Sequence, residues 1–397
     1  MLYRVEIENF ASIRETQVLD LRIGAKVAVD RNRHAEIFPQ AGVFVPKVIA
    51  IFGANASGKT NLLKALDFII GMAMRQPSPI PVCLPFNSIE THQKPTRIVI
   101  EFGDKINLLE PDQDVFGVFR YELAVSGLQV EGPTIESESL KMRPLAEGKW
   151  QRVFERDSER KVLGSNVFPM KGYGHLVKTL RPNATVISSF AFFDHPSAKH
   201  FAEAAERVIT VANSLRTSDE QSLHKFLSSQ PDSLQRLNSH LARIDFGLQA
   251  MRYVTDSDGP KPLFKHFGMP EEMNWRLESN GTRSFIMLFP LIQQALQSGG
   301  LCLIDEMDAT IHPLLLPEIL RWFYDYENSN PMNSQLWFTS HAPTLLEGLK
   351  KEEVVVCEKD KEGRTRVYSL MDVKIRRDDN LYRKYLDGAL GGVPLLG

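Results

Sequence analysis

The 397-residue sequence predicts an α/β fold with a mixed, largely parallel sheet, an antiparallel β subdomain beside it and an inserted helical lobe. Three observations predict it. The apolar run Val48–Phe52 enters a Gly-bounded loop and continues into a helical stripe of Leu62, Leu63, Leu66, Ile69 and Ile70, the pattern of strand, loop and helix. From 275 onwards, short apolar runs alternate with helical segments, as in a sheet with helices on its faces. Between 96 and 156, by contrast, apolar alternation recurs between Gly, Pro and acidic turns, which reads as antiparallel β structure.

Taken in order, Tyr3, Val5 and Ile7 alternate with charged residues, as do Leu19, Leu21 and Ile23 with Asp20 and Arg22; both are half-buried strands. The Pro-rich stretch 76–95 reads as a loop. Strands follow at Ile98–Phe102, FRYELAVSG, ESESLKM and WQRVFERD. Residues 197–248 carry helix formers with apolar spacing, first at Phe201, Ala204, Val208 and Val211, then at Leu223, Phe226, Leu234, Leu237 and Leu241. Strand LCLID (301–305), a helix from about Pro313 to Tyr326, strand QLWFTS (335–340), a helix from Pro343, and strands EVVVCE (353–358) and RTRVYSL (364–370) complete the chain. The expected division is an N-terminal half over 1–190, a helical lobe over 191–274 and a C-terminal half over 275–397.

Composition excludes more than it selects. Lys plus Arg (47) balance Asp plus Glu (49), leaving a net charge of −2, so bulk charge points to neither nucleic acid nor a membrane surface. Charges at Arg4, Glu6 and Glu8 interrupt the run that a signal peptide needs. No window of about 18 uncharged apolar residues suggests a membrane span. Three widely spaced cysteines, Cys83, Cys302 and Cys357, form no CxxC or His/Cys cluster; a reduced, cytoplasmic setting is expected.

Gly53-Ala54-Asn55-Ala56-Ser57-Gly58-Lys59-Thr60 matches GxxxxGK[ST] in full. Its glycines let backbone N–H groups converge on phosphate oxygens at the start of a helix. Lys59 is expected to reach the β and γ phosphates, and Thr60 to ligate Mg²⁺. The LCLIDE run ends in Asp305 and Glu306 at a strand's C-terminal edge. Asp305 is the expected metal carboxylate and Glu306 the general base for water. His341 ends a neighbouring strand and can donate to a γ-phosphate. Glu278-Ser279-Asn280-Gly281-Thr282 precedes an apolar helix; Ser279 is a cap, and Gly281 lets backbone approach a second phosphate.

Together, IENFASIRE, GANASGKT, SNGT, LCLIDE, DATIHP and TSHAPTLL resemble, in order, the ABC/SMC-like ATPases, in particular their RecF-like and OLD-like branch. The tail LYRKYLDGALGGVPLL resembles bacterial abortive-infection ATPases of anti-phage defence. The resemblance implies an ABC-type P-loop head that forms a head-to-tail homodimer or higher homo-oligomer. In it, Ser279–Gly281 of one copy covers the γ-phosphate held by Gly58, Lys59 and Thr60 of the other, with Gly53, Asn55 and Ser57 also binding the nucleotide. Asp308 would act across that interface, and His341 as the switch residue. The signature departs from LSGGQ, and the Q-loop glutamine has three candidates, Gln93, Gln76 and Gln113.

The expected activity is hydrolysis of ATP to ADP and phosphate with Mg²⁺. No nuclease domain is recognisable in the sequence, so the expected role is an ATP-driven switch, the ATPase or sensor subunit that controls a separate nuclease or toxin effector. The alternative is a RecF-like DNA repair ATPase, for which Lys374, Arg376, Arg377, Arg383 and Lys384 offer local basic clusters.

Overall fold

The structure, a computed structural model, describes residues 1–74, 94–109, 114–126, 134–145, 147–211, 217–244, 247–257, 259–311, 315–376 and 379–393. Its central sheet has the strand order Ile209–Val211, Leu301–Ile304, Gln335–Thr339, Val48–Phe52, Val354–Lys359, Thr365–Ser369. Neighbouring strands run parallel except for the last, antiparallel pair.

The uninterrupted apolar runs follow from burial on both faces of this sheet. Successive side chains point in opposite directions, so each strand feeds two cores. Ile49, Ile51, Leu301, Leu303, Trp337 and Val355 join one; Val48, Ala50, Phe52, Cys302, Ile304, Leu336 and Phe338 join the other. Each such Leu, Ile or Phe contributes roughly 1.5–3 kcal/mol through burial. The first core is closed by helix Lys59–Met72 and a second sheet, the second by helices Asn280–Ser298 and Leu316–Tyr324.

That second sheet is antiparallel, in the order Val162–Leu163, Gln151–Arg156, Thr134–Arg143, Phe116–Ser126, Thr96–Lys105, Leu2–Glu8, Gln17–Asp20. It is the β subdomain expected over 96–156, enlarged by the two opening strands. The α/β architecture expected of a P-loop head is therefore present.

Two expectations need correction. The stretch 191–274 is not a purely helical lobe. Its helices, Pro196–Glu206, Thr217–Ser229 and Pro231–Ile244, are interrupted by Ile209–Val211, which pairs with Cys302–Ile304 in the central sheet. They are followed by an antiparallel sheet of Leu248–Asp256, Gly259–His266 and Met273–Asn274. A register irregularity between Leu248 and Ala250 puts Leu248 and Met251 on the buried side three residues apart, which mimics helical spacing. Second, the helix expected from Pro343 is a 3₁₀ segment, Pro343–Glu347, ended by Gly348. The helix expected from Pro313 spans Leu316–Tyr324. Cys83, Gln76, Gln93, Gln113, Arg377 and residues 312–314 lie outside the described residues. Among the described residues, no helix is long and apolar enough to cross a membrane.

Candidate functional site

The P-loop leaves the sheet at Phe52 and turns at Gly53, where an added Cβ would lie 2.2 Å from the Cys357 carbonyl oxygen. Gly58 adopts φ 106° and starts the helix; its missing Cβ makes room for Thr365, whose hydroxyl would otherwise be 2.3 Å away. Only glycine satisfies both demands. The Thr365 hydroxyl donates to the Ser57 carbonyl at 2.8 Å and lies 2.7 Å from Ser12 Oγ, to which Asn61 Nδ2 also donates at 2.7 Å. The opening segment and the antiparallel edge strand of the central sheet thus brace the cradle from outside.

Lys59 folds over the loop, donating to the Gly53 and Ala54 carbonyls at 2.8 and 3.0 Å. Burial pushes its pKa below the usual lysine range, opposed by the negative charges of Asp305, Asp308 and Glu306. The ammonium remains the natural counter-charge for phosphate in this enclosed position.

Opposite Lys59, the Thr60 hydroxyl donates to Asp305 Oδ1 at 3.2 Å, and Thr339 donates to the same oxygen at 2.6 Å. Thr339 Oγ1 in turn accepts the Glu306 N–H at 2.6 Å. One hydroxyl therefore fixes the two adjacent carboxylate residues. Glu306 has left-handed backbone, φ 49° and ψ 53°, a strained geometry for a residue with a side chain, of the kind that collects at functional sites. Thr60 and Asp305 fit Mg²⁺: both offer hard oxygen donors at the helix start that bears the phosphate cradle. Among the described residues, no three His, Cys, Asp or Glu gather as a metal cluster.

Asn55, Ser57, Gly58, Lys59, Thr60, Glu306 and His341 line one cleft of about 770 Å³, together with Ser12, Asn61 and Lys359. The Ser57 hydroxyl is buried and has no hydrogen-bond partner among the described residues. The backbone N–H of His341 donates to both oxygens of Asp308, at 3.0 and 2.9 Å. Asp308 thus fixes the histidine's strand end within its own chain.

Ser279 and Gly281 do not line this cleft. Ser279 caps the helix Asn280–Ser298 as expected, accepting from the Thr282 N–H at 3.0 Å. Ser279, Asn280 and Gly281 are exposed, and an added Cβ on Gly281 would meet nothing nearer than Ser279 Oγ at 4.0 Å. Among the described residues, no side chain or neighbouring backbone requires a glycine there.

The sequence reading assigned no roles to Ser12, Asn61, Thr339 or Thr365. Ser12 lies in the IENFASIRE match and Thr339 in TSHAP, so a signal was present for those two; Thr365 sits in an ordinary strand pattern without one.

Fold and cleft together define a P-loop nucleotide-binding protein of ATPase type. The chain belongs to the family described as "AAA domain, putative AbiEii toxin, Type IV TA system", whose model matches residues 48–347. Among curated protein sequences, none matches it. Similar solved structures include an SMC head bound to the C-winged helix domain of ScpA, 14% identical, covering 92% of this chain and 96% of that one with a TM-score of 0.45. Another is the SMC head domain from Thermotoga maritima, 11% identical, covering 93% and 98% with a TM-score of 0.42.

Proposed function

We propose that this protein is an ATP-hydrolysing switch whose site is completed by a second copy of itself, and that it serves as the ATPase or sensor subunit of a bacterial anti-phage, abortive-infection system controlling a separate nuclease or toxin. The observation that carries the shared site is the separation of its two phosphate-binding helix starts. The cradle of Lys59 and Thr60 lies in one cleft, whereas Ser279 and Gly281 are exposed outside it. Among the described residues, Gly281 is a glycine with no internal steric reason; close approach by an outside phosphate supplies one.

In this reading, the cradle binds the ATP phosphates and Lys59 neutralises the β and γ oxygens. Thr60 and Asp305 would hold Mg²⁺, which would supply charge neutralisation at the phosphates. Glu306 orients the attacking water and takes its proton, and His341 donates to the γ-phosphate. The family description supports the defence role. Within the basic clusters of the DNA-repair alternative, Lys384 is paired with Asp379 at 2.6 Å.

Glu306→Gln tests the reading. The variant should lose at least 100-fold in turnover yet elute with ATP and Mg²⁺ as a stable dimer, while the ATP-free protein does not. A variant that stays monomeric with bound ATP would remove the shared site. For the defence role, phage plating on cells carrying the complete gene neighbourhood should show protection that Glu306→Gln abolishes.

A further inference from the structure

We infer that the segment Asn380–Val393 positions the P-loop, with Tyr385 and Gly392 as positioning residues for Gly53; this rests on the ATP-site reading above. The segment begins with helix Leu381–Leu386, capped by Asn380, and continues into a glycine-rich turn. The Tyr385 ring meets Phe52, the last residue of the P-loop strand, edge to face at 5.9 Å. Its hydroxyl donates to the Gly392 carbonyl at 3.1 Å. The last strand residue before the cradle is thus packed against this segment.

Gly392 closes the contact. It has φ 69°, and an added Cβ would lie 2.8 Å from Val356 Cγ1 and 3.2 Å from Gly53 Cα. Glycine is required there twice, for conformation and for clearance. The neighbouring Gly391 packs against Tyr368, whose hydroxyl donates to the Leu390 carbonyl at 2.9 Å. Gly53 is therefore approached closely by both the Cys357 carbonyl and Gly392.

The same short helix also packs on Pro343–Glu347, the turn that follows His341. One segment consequently touches both the start of the cradle and the support of the switch histidine. Displacing it would release Gly53 and change the aim of the N–H groups that receive phosphate. Such a contact acts on nucleotide affinity before it acts on the chemical step, and by linkage bound nucleotide must stabilise the segment in return.

The test measures affinity for a fluorescent ATP analogue, thermal melting without nucleotide, and KM and kcat separately. Tyr385→Phe keeps the ring on Phe52 and removes the hydroxyl bond to Gly392; it should weaken binding about 3- to 10-fold, the range that one neutral hydrogen bond supports. Gly392→Val should weaken it at least tenfold, with KM rising more than kcat falls. Leu386→Ala, at an exposed position, should change neither. On the unaltered chain, ATP should slow amide hydrogen exchange across 388–393, a readout that survives even if Gly392→Val fails to fold. If the unaltered chain binds the analogue but Tyr385→Phe binds it equally and exchange at 388–393 ignores ATP, the inference is overturned while the ATP-site reading stands. If the unaltered chain binds no nucleotide, that reading falls first.

Discussion

The Thr60 hydroxyl donates to Asp305 Oδ1 at 3.2 Å, joining two residues 245 positions apart in the chain. The contact ties the start of the P-loop helix to the end of the LCLIDE strand. Lys59, next to Thr60 in the chain and lining the same cleft, supplies the opposite charge.

The two groups are expected to act as one unit. Thr60→Val and Asp305→Ala should each lower turnover by at least 100-fold at saturating ATP and Mg²⁺, and the double variant should be little worse than either single one, because residues that share one ion are not additive. Steady-state ATPase assays over a Mg²⁺ titration check this. Losses that multiply would separate the two residues.

Gly281 distinguishes a role inside the chain from one outside it. Since an added side chain meets open space, Gly281→Leu should leave thermal melting unchanged or slightly raised, because glycine is the poorer helix former by about 1 kcal/mol. Turnover should nevertheless fall at least tenfold. Unchanged turnover would remove the signature segment from catalysis.

Lys47 makes a pH prediction about stability. Its side chain is fully buried, its ammonium donates to the Arg31 carbonyl at 2.8 Å, and burial pushes its pKa down to about 8, opposed by Asp30 and Asp325. The folded chain therefore gives up this proton before the unfolded chain does. Between about pH 8 and the ordinary lysine value the unfolded state binds more protons, so stability from this site rises with pH, and the penalty is full below pH 8. The stability of the unaltered protein relative to Lys47→Met should improve by about 2 kcal/mol between pH 7 and pH 10 in urea melts. A difference independent of pH would contradict the assignment.

The central sheet and its cradle were legible because their signals are local. Val48–Phe52 has to be apolar throughout, and GANASGKT has to be Gly-rich, whatever surrounds them. Ser279 was legible for the same reason, as a cap beside the helix it serves. Thr365 was not, because its hydroxyl reaches the Ser57 carbonyl across 308 residues and only the fold brings them together. Ile209–Val211 was hidden in a helical neighbourhood; its strand identity comes from pairing with Cys302–Ile304. At Leu248 and Met251 the irregular register gave a β-strand the spacing of a helix.

The measurement that most directly tests the shared site mixes two inactive variants. Lys59→Ala removes the cradle's charge, and Ser279→Arg blocks the signature segment. In a head-to-tail dimer, one of the two sites in each mixed pair combines an intact cradle with an intact signature segment. Equimolar mixing should therefore restore up to about a quarter of the normal ATPase rate, since half the pairs are mixed and half their sites are intact. No recovery from variants that demonstrably exchange subunits, or full activity of Ser279→Arg by itself, would contradict a site built from two copies.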